Sequence, residues 1–128
     1  MTEPDAPPIT EAMTAPEAAR AAEEALRQAA HASWSGISTA ADVYAVFGAV
    51  SYSLELIPQL LDQLTAWLEK HQGELSATDE DAAPADRIVE IRAAVSPVVD
   101  ALDTGRAHLA AAQSALAPLY GPVTTHAD

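Results

Sequence analysis

Histidine and carboxylate side chains are the groups of this sequence best suited to metal binding or acid–base chemistry. The four histidines are far apart along the chain: His31, His71, His108 and His126. None belongs to a Glu-x-x-His or His-x-x-x-His pair, the spacings that place two metal ligands on one face of a helix. The chain also has no cysteine, which rules out thiolate ligands, cysteine nucleophiles and disulfides. We therefore expect no metal, no cofactor and no catalytic residue.

The carboxylates are numerous, with 19 Asp and Glu against six Lys and Arg and a net charge of −13. Such a charge disfavours binding to nucleic acid or to anionic lipid. The start of the chain is acidic and rich in proline, unlike a signal peptide, and we expect no membrane span and a cytoplasmic location. Five helical carboxylates are predicted to be solvating charges on exposed faces: Glu55, Asp62, Glu69, Glu90 and Asp103.

The composition predicts an all-α fold, because 30 alanines and only five glycines favour helices. We expect a disordered acidic tail over residues 1–13, one helical domain over residues 14–121 and a short tail over residues 122–128. Three helices are predicted, at about 15–33, 39–72 and 84–120. Thr14 and Glu17 form a predicted capping box, and Gly73 is expected to provide a left-handed cap.

Apolar residues recur at alternating steps of three and four in both longer helices. The seam of the second helix is Val43, Phe47, Val50, Leu54, Ile57, Leu61, Leu64 and Leu68. The seam of the third is Ile88, Ile91, Val95, Val98, Leu102, Gly105, Leu109, Ala112, Leu116 and Leu119. Val46, Leu60 and Trp67 broaden the first seam. The two seams predict a long antiparallel hairpin, which the alanine-rich first helix completes as a three-helix bundle or a second copy completes as a four-helix arrangement.

Two prolines and two glycines lie at matching positions in the hairpin. Pro58 and Pro97 fall inside the predicted helices, where proline removes a hydrogen bond. Because an antiparallel hairpin brings them to one level, we expect paired kinks in two continuous helices. Gly48 and Gly105 are likewise expected to let the two backbones approach. The alternative is four shorter helices, broken near Ile57 and Ser96.

Trp34-Ser35-Gly36 resembles the turn of the WXG100 family of secreted helical hairpins. That resemblance implies a translocated protein that pairs with a homologue. The chain departs from the family because the helix before the turn is short and a third helix follows. In addition, none of the three tyrosines is followed by an acidic residue four positions later. The preferred interpretation is that Trp34 covers one end of the bundle and Gly36 permits the turn.

The segment 41–70, ADVYAVFGAVSYSLELIPQLLDQLTAWLEK, carries a second resemblance. Its features are an Asp-x-Tyr-x-x-x-Gly start and a Pro-Gln-x-Leu-x-Gln-Leu-x-x-Trp-Leu run over residues 58–68. In these it is similar to small, acidic, alanine-rich helical proteins of unknown function from actinobacteria. The resemblance implies an all-α fold and supplies no catalytic residues.

Aromatic and amide side chains form the candidate interaction surface: Trp34, Tyr44, Tyr52, Gln59, Gln63 and Trp67. Such side chains either contact the first helix or bind a partner. We predict a non-enzymatic module for protein–protein interaction that forms a homodimer or pairs with another helical protein. The alternatives are a WXG100-like secreted partner protein and a small ligand-binding bundle, which needs a cavity between its helices.

Overall fold

The fold is all-α in the computed structural model, which describes residues 13–78 and 83–121. Its helices are α1 (Ala15–Ala32), α2 (Ala40–Lys70) and α3 (Pro84–Leu116), with a short 3-10 turn at Gln72–Glu74. The predicted fold class is therefore confirmed. Both predicted tails lie outside the described residues, except for Met13. The chain divides into two compact units, Met1–Thr39 and Ala40–Asp128, which are described in turn.

The first unit contains α1, whose start has the predicted capping box. The backbone N–H of Thr14 donates to Glu17 Oε1 at 3.0 Å, and the backbone N–H of Glu17 donates to Thr14 Oγ1 at 3.3 Å. The reciprocal bonds satisfy two amide groups that a helix start otherwise leaves open. Ala21 is buried, whereas Leu26, the one large aliphatic residue of α1, is exposed.

The turn after α1 contains the Trp34-Ser35-Gly36 stretch. A Cβ added to Gly36 would lie 2.6 Å from the carbonyl oxygen of Ala32, which accepts the N–H of Gly36. Glycine is therefore required here by close backbone contact, as the preferred interpretation held. Trp34, however, is 88% exposed. The covering role predicted for Trp34 concerns a contact with the other unit and stays a prediction.

The second unit is the predicted antiparallel hairpin, in which α2 packs against α3. Two hydrogen bonds fix its alignment. Near the turn, Arg92 Nε donates to Glu69 Oε2 at 2.6 Å. Toward the other end, Gln113 Nε2 donates to the carbonyl oxygen of Tyr44 at 3.4 Å. Between these two pairs, residue numbers fall along α2 as they rise along α3, so each residue of α2 lies beside a defined residue of α3.

Both long helices continue through their prolines. Pro58 lies inside α2 and Pro97 inside α3, so the alternative of four shorter helices is wrong. Val99, Asp100 and Asp103 line a cleft together with Pro58, which places Pro58 level with the turn that follows Pro97. Neighbouring packing along the hairpin maintains each helix despite the missing backbone donor.

Two predicted helix ends differ from the structure. α3 ends at Leu116 rather than near Tyr120, because Pro118 has no N–H to continue the hydrogen bonding. Gly73 does not provide a left-handed cap, since Gly121 is the glycine with positive φ among the described residues. Instead the chain tightens into the 3-10 turn, in which the N–H of Glu74 donates to the carbonyl oxygen of His71 at 2.8 Å.

The glycines do not bring the two backbones together, so that prediction is also wrong. A Cβ on Gly48 would lie 2.8 Å from Gln113 Nε2, whereas a Cβ on Gly105 would meet nothing within 4 Å. We expect Gly105→Ala to raise the free energy of unfolding of the single chain, measured at low protein concentration, by about 0.5–1 kcal/mol, because alanine favours the helix interior. Urea unfolding checks this. Gly48→Ala is the matched control, because its Cβ would lie against Gln113. An equal gain in unfolding free energy at Gly48 would contradict the explanation that the gain at Gly105 requires open space around the Cβ.

The Arg92–Glu69 pair makes hairpin stability depend on pH. The hydrogen bond from Arg92, aided by its charge, holds the pKa of Glu69 below its ordinary value of 4.5. Because folding lowers this pKa, the contribution of the pair is complete above the ordinary value and is lost as pH falls through the lowered one. We expect an NMR titration to give a lower pKa for the Glu69 carboxyl than for an exposed glutamate. Arg92→Gln is expected to remove this difference. An unchanged titration in Arg92→Gln would contradict this cause.

Candidate functional site: a charge-free face of the hairpin

The packing between α2 and α3 covers one edge of each apolar seam and leaves the other edge exposed. On α2, Thr65 is 2% exposed, whereas the adjacent seam residue Leu64 is 49% exposed. The buried hydroxyl of Thr65 donates to the carbonyl oxygen of Leu61, which satisfies it within the helix. Sequence reasoning missed Thr65 because it is a polar residue among seam leucines.

The third helix repeats this pattern. Ile88 is 5% exposed, but the seam residues Ile91 and Val98 are 40% and 47% exposed. Within the described part of Ala40–Asp128, Thr65 and Ile88 are the buried residues. An apolar arc that one neighbouring helix covers only in part is typical of a helix with a further partner.

The two exposed edges lie on the same side of the hairpin. In each helix the exposed residue directly precedes one that faces the other helix: Leu64 precedes Thr65, Ile91 precedes Arg92, and Val98 precedes Val99. Seen from one end, antiparallel helices turn in opposite senses, so equal displacements of about 100° bring both edges to one side. We call this side the charge-free face: Val46, Ile57, Leu60, Leu64, Ile91, Ala94, Val98, Ala101, Gly105 and Ala112.

Most charged side chains of the hairpin lie elsewhere. The exception is Arg87, which directly precedes the buried Ile88 and lines a cleft with Leu68 and Ile91, so it lies on this side beyond the end of the face nearest the hairpin turn. One cleft of about 220 Å³ between the helices is lined in part by Asp62, Arg92 and Asp100. A second, of about 300 Å³, includes Glu55, Asp103 and Arg106 among its lining residues. These two clefts lie at or below the lower limit of common ligand pockets, and a third, of about 330 Å³ beside the hairpin turn, lies just above it. Among the residues described, no group of three or more His, Asp or Glu could hold a metal ion.

The six residues of the predicted interaction surface are all exposed, but they do not form one site. The helical repeat places Tyr52, Gln59 and Gln63 on one side of α2. Trp67 stacks on His71, with ring centroids 4.2 Å apart, and the backbone of Tyr44 accepts the bond from Gln113. Trp34 belongs to the first unit.

The predicted interaction surface does not include the exposed aliphatic residues. The sequence analysis places Leu64, Ile91 and Val98 in the two hairpin seams and treats Val46 and Leu60 as broadening the seam of α2. The available signal was the width of the apolar arc of α2, which exceeds what one neighbouring helix covers.

The second helix is also the one described helix that is long and apolar enough to cross a membrane, judged by length and composition alone. The sequence analysis expected no membrane span and did not single out this helix. None of the apolar window of α2 is buried. The apolar surface of α2 thus requires an explanation, whatever covers it.

An all-α hairpin with an exposed, uncharged face is the class that the fold and the candidate site define. Compared with family models, curated proteins and solved structures, the chain shows no significant match. The resemblances to acidic actinobacterial proteins and to the WXG100 turn therefore stay predictions. Any functional proposal depends on the face itself.

Proposed function

We propose that this protein is a non-enzymatic interaction module that binds a second copy of itself through the charge-free face. The observation that carries the proposal is the contrast between Thr65, 2% exposed, and its neighbour Leu64, 49% exposed. The contact between α2 and α3 stops at the boundary between these residues. A second hairpin placed on the exposed edge continues that contact into a four-helix arrangement.

The size of the face is sufficient for a dimer. From Ile91 to Ala112, the longer of its two rows, the face extends about 32 Å at 1.5 Å per residue, and two helices of about 10 Å each make it about 20 Å wide. The resulting area of about 640 Å² per copy, or about 1,300 Å² in total, lies at the lower end of the roughly 1,200–2,000 Å² of a standard protein–protein interface. Burying half-exposed Leu, Ile and Val side chains over this area supplies the driving force.

The distribution of charge on the face allows a second copy as the occupant. Two chains of net charge −13 repel each other, yet the residues of the charge-free face bring no carboxylates into contact. The carboxylates Glu55, Asp62 and Asp103 line the clefts between the helices instead. Added salt screens the remaining repulsion, so the dimer is expected to tighten as ionic strength rises.

Insertion into a lipid bilayer is less favourable for the same helix. α3 packs along α2 and carries Arg92, Asp100, Asp103 and Arg106, so α2 could cross a membrane only by leaving α3 or by taking these charges with it. A second hairpin covers the exposed edge without either change. Membrane binding is therefore the competing outcome in the experiment below.

The proposal is tested with the full chain by size-exclusion chromatography with light scattering across a concentration series. With increasing protein concentration, we expect the mass to rise from that of one 13.3 kDa chain to that of two. In higher salt this rise is expected at a lower protein concentration. A monomer at every concentration contradicts the proposal and indicates that α1 or another partner covers the face. The proposal is also contradicted if the protein floats with phosphatidylcholine vesicles in a density gradient and does not form a dimer.

A further inference from the structure

We infer, on the basis of the proposed self-association, that α2 of each copy lies over α3 of the other, with the two-fold axis parallel to the helices. The inference concerns which helix covers which, and it can fail while self-association holds. Three observations carry it: the sizes of the side chains on the charge-free face, the level of each residue along the hairpin, and the free space at Gly105.

The two helices contribute side chains of different size to the charge-free face. The members from α2 are mostly large, as in Val46, Ile57, Leu60 and Leu64. The members from α3 are mostly small, namely Ala94, Ala101, Gly105 and Ala112, and the two larger ones are Ile91 and Val98. Facing helices pack without voids when large residues meet small ones. Three of the four α2 members of the face, Val46, Ile57 and Leu64, therefore complement small members of the α3 half, whereas Leu60 is level with Val98.

The levels of these residues agree with that pairing. Counted from the Glu69–Arg92 pair or from the Tyr44–Gln113 pair, Leu64 of α2 is level with residues 93–97 of α3. Rotation about an axis parallel to the helices leaves every level unchanged. Leu64 therefore meets the partner's Ala94. By the same count, Ile57 meets the partner's Ala101.

The space at Gly105 fits this pairing as well. A Cβ built on Gly105 meets no atom of its own chain within 4 Å, so this point of the face is open to a neighbour. Ser53 of α2 is level with it, which brings a small residue of the second copy onto a small site and lets the helices approach closely. If α2 lay over α2 instead, Val46 would meet the partner's Leu64 and the small residues of α3 would face each other across a gap.

The test uses single cysteines, which report cleanly because the natural chain has none. Full-length Leu64→Cys and Ala94→Cys chains are mixed, allowed to exchange, and oxidised with oxidised glutathione, which takes up the two electrons and two protons as each disulfide forms. The proposal expects the mixed Leu64→Cys/Ala94→Cys disulfide to exceed either same-variant disulfide by about tenfold or more, because juxtaposed thiols have millimolar effective concentrations. Mass spectrometry identifies the products.

A mixture of Leu64→Cys with Val46→Cys is the matched comparison, since it reports α2 lying over α2. Coupling of that pair in preference to Leu64→Cys with Ala94→Cys overturns the inferred arrangement while leaving self-association intact. Light scattering under reducing conditions shows whether each variant still dimerises. A variant that does not is replaced by the Ile57→Cys and Ala101→Cys pair, and failure of both pairs to couple within a proven dimer overturns the arrangement. A wild-type monomer overturns the arrangement together with the proposed function.

Discussion

Replacing Val98 with aspartate is expected to convert the dimer into a monomer and to leave the helices intact. Val98 is 47% exposed in the single chain, so a carboxylate there remains hydrated and costs the isolated hairpin little. In the dimer the same carboxylate is buried against apolar side chains, where an unpaired charge is strongly unfavourable. Two copies of the substitution enter each interface. We expect the dissociation constant to rise by about 100-fold or more, equivalent to about 2.8 kcal/mol.

Val89→Asp is the matched control for this substitution. Val89 is also a valine of α3, is 68% exposed, and lies on the opposite side of that helix from Val98. Both substitutions add one negative charge, so any effect of net charge alone appears in both. Light scattering gives the dissociation constants, and circular dichroism confirms the helix content. Equal weakening by the two substitutions would place the interface elsewhere.

Replacing Ile88 with alanine is expected to destabilise the hairpin itself. Ile88 is 5% exposed and lines the apolar space at the hairpin turn together with Leu68 and Leu75. Removing three carbon atoms from a buried position loses their transfer free energy and leaves a cavity, at a cost of about 2–4 kcal/mol. For a small hairpin that loss is a large fraction of the total stability. Urea unfolding followed by circular dichroism measures it.

Ile91→Ala is the matched control, since it makes the same chemical change one turn further along α3. Ile91 is 40% exposed, so we expect a loss of about 1 kcal/mol in the monomer. For dimer formation we expect the opposite order: Ile91→Ala raises the dissociation constant more than Ile88→Ala, because Ile91 belongs to the charge-free face and Ile88 does not. Equal losses of monomer stability at the two positions would mean that the packing between α2 and α3 does not centre on Ile88.

Together these substitutions separate folding from association. Ile88 and Thr65 lie where α2 meets α3, whereas Val98 and Leu64 lie on the edges of α3 and α2 that this contact leaves exposed. The first pair affects the free energy of unfolding, and the second affects the dissociation constant. A chain in which one seam serves both purposes would not allow this separation.

Local chemistry made several elements predictable from the sequence. The capping box of Thr14 and Glu17 depends on two side chains three residues apart, and the structure has both of its hydrogen bonds. The continuity of α2 through Pro58 followed from an apolar repeat that keeps its phase on both sides of the proline. The antiparallel pairing of α2 and α3 followed from two seams joined by a polar turn.

Features that depend on contact between distant residues could not be predicted in the same way. Gly48 and Gly105 look equivalent in the sequence, yet one lies against Gln113 and the other faces open space. Thr65 looks like a surface residue, yet it is buried. Each outcome depends on how far each helix is rotated about its own axis. That rotation is set by contacts between residues 23 to 69 positions apart in the sequence.

The sequence by itself determined that the chain forms long amphipathic helices and that two of them fold back on each other, because periodicity and capping act within a few residues. Only the tertiary structure decided which edge of each seam the hairpin uses. That choice arises from the balance of packing and hydrogen bonding between α2 and α3, as at Glu69 and Arg92, and it leaves Leu64 and Val98 uncovered. The charge-free face is therefore a product of tertiary packing.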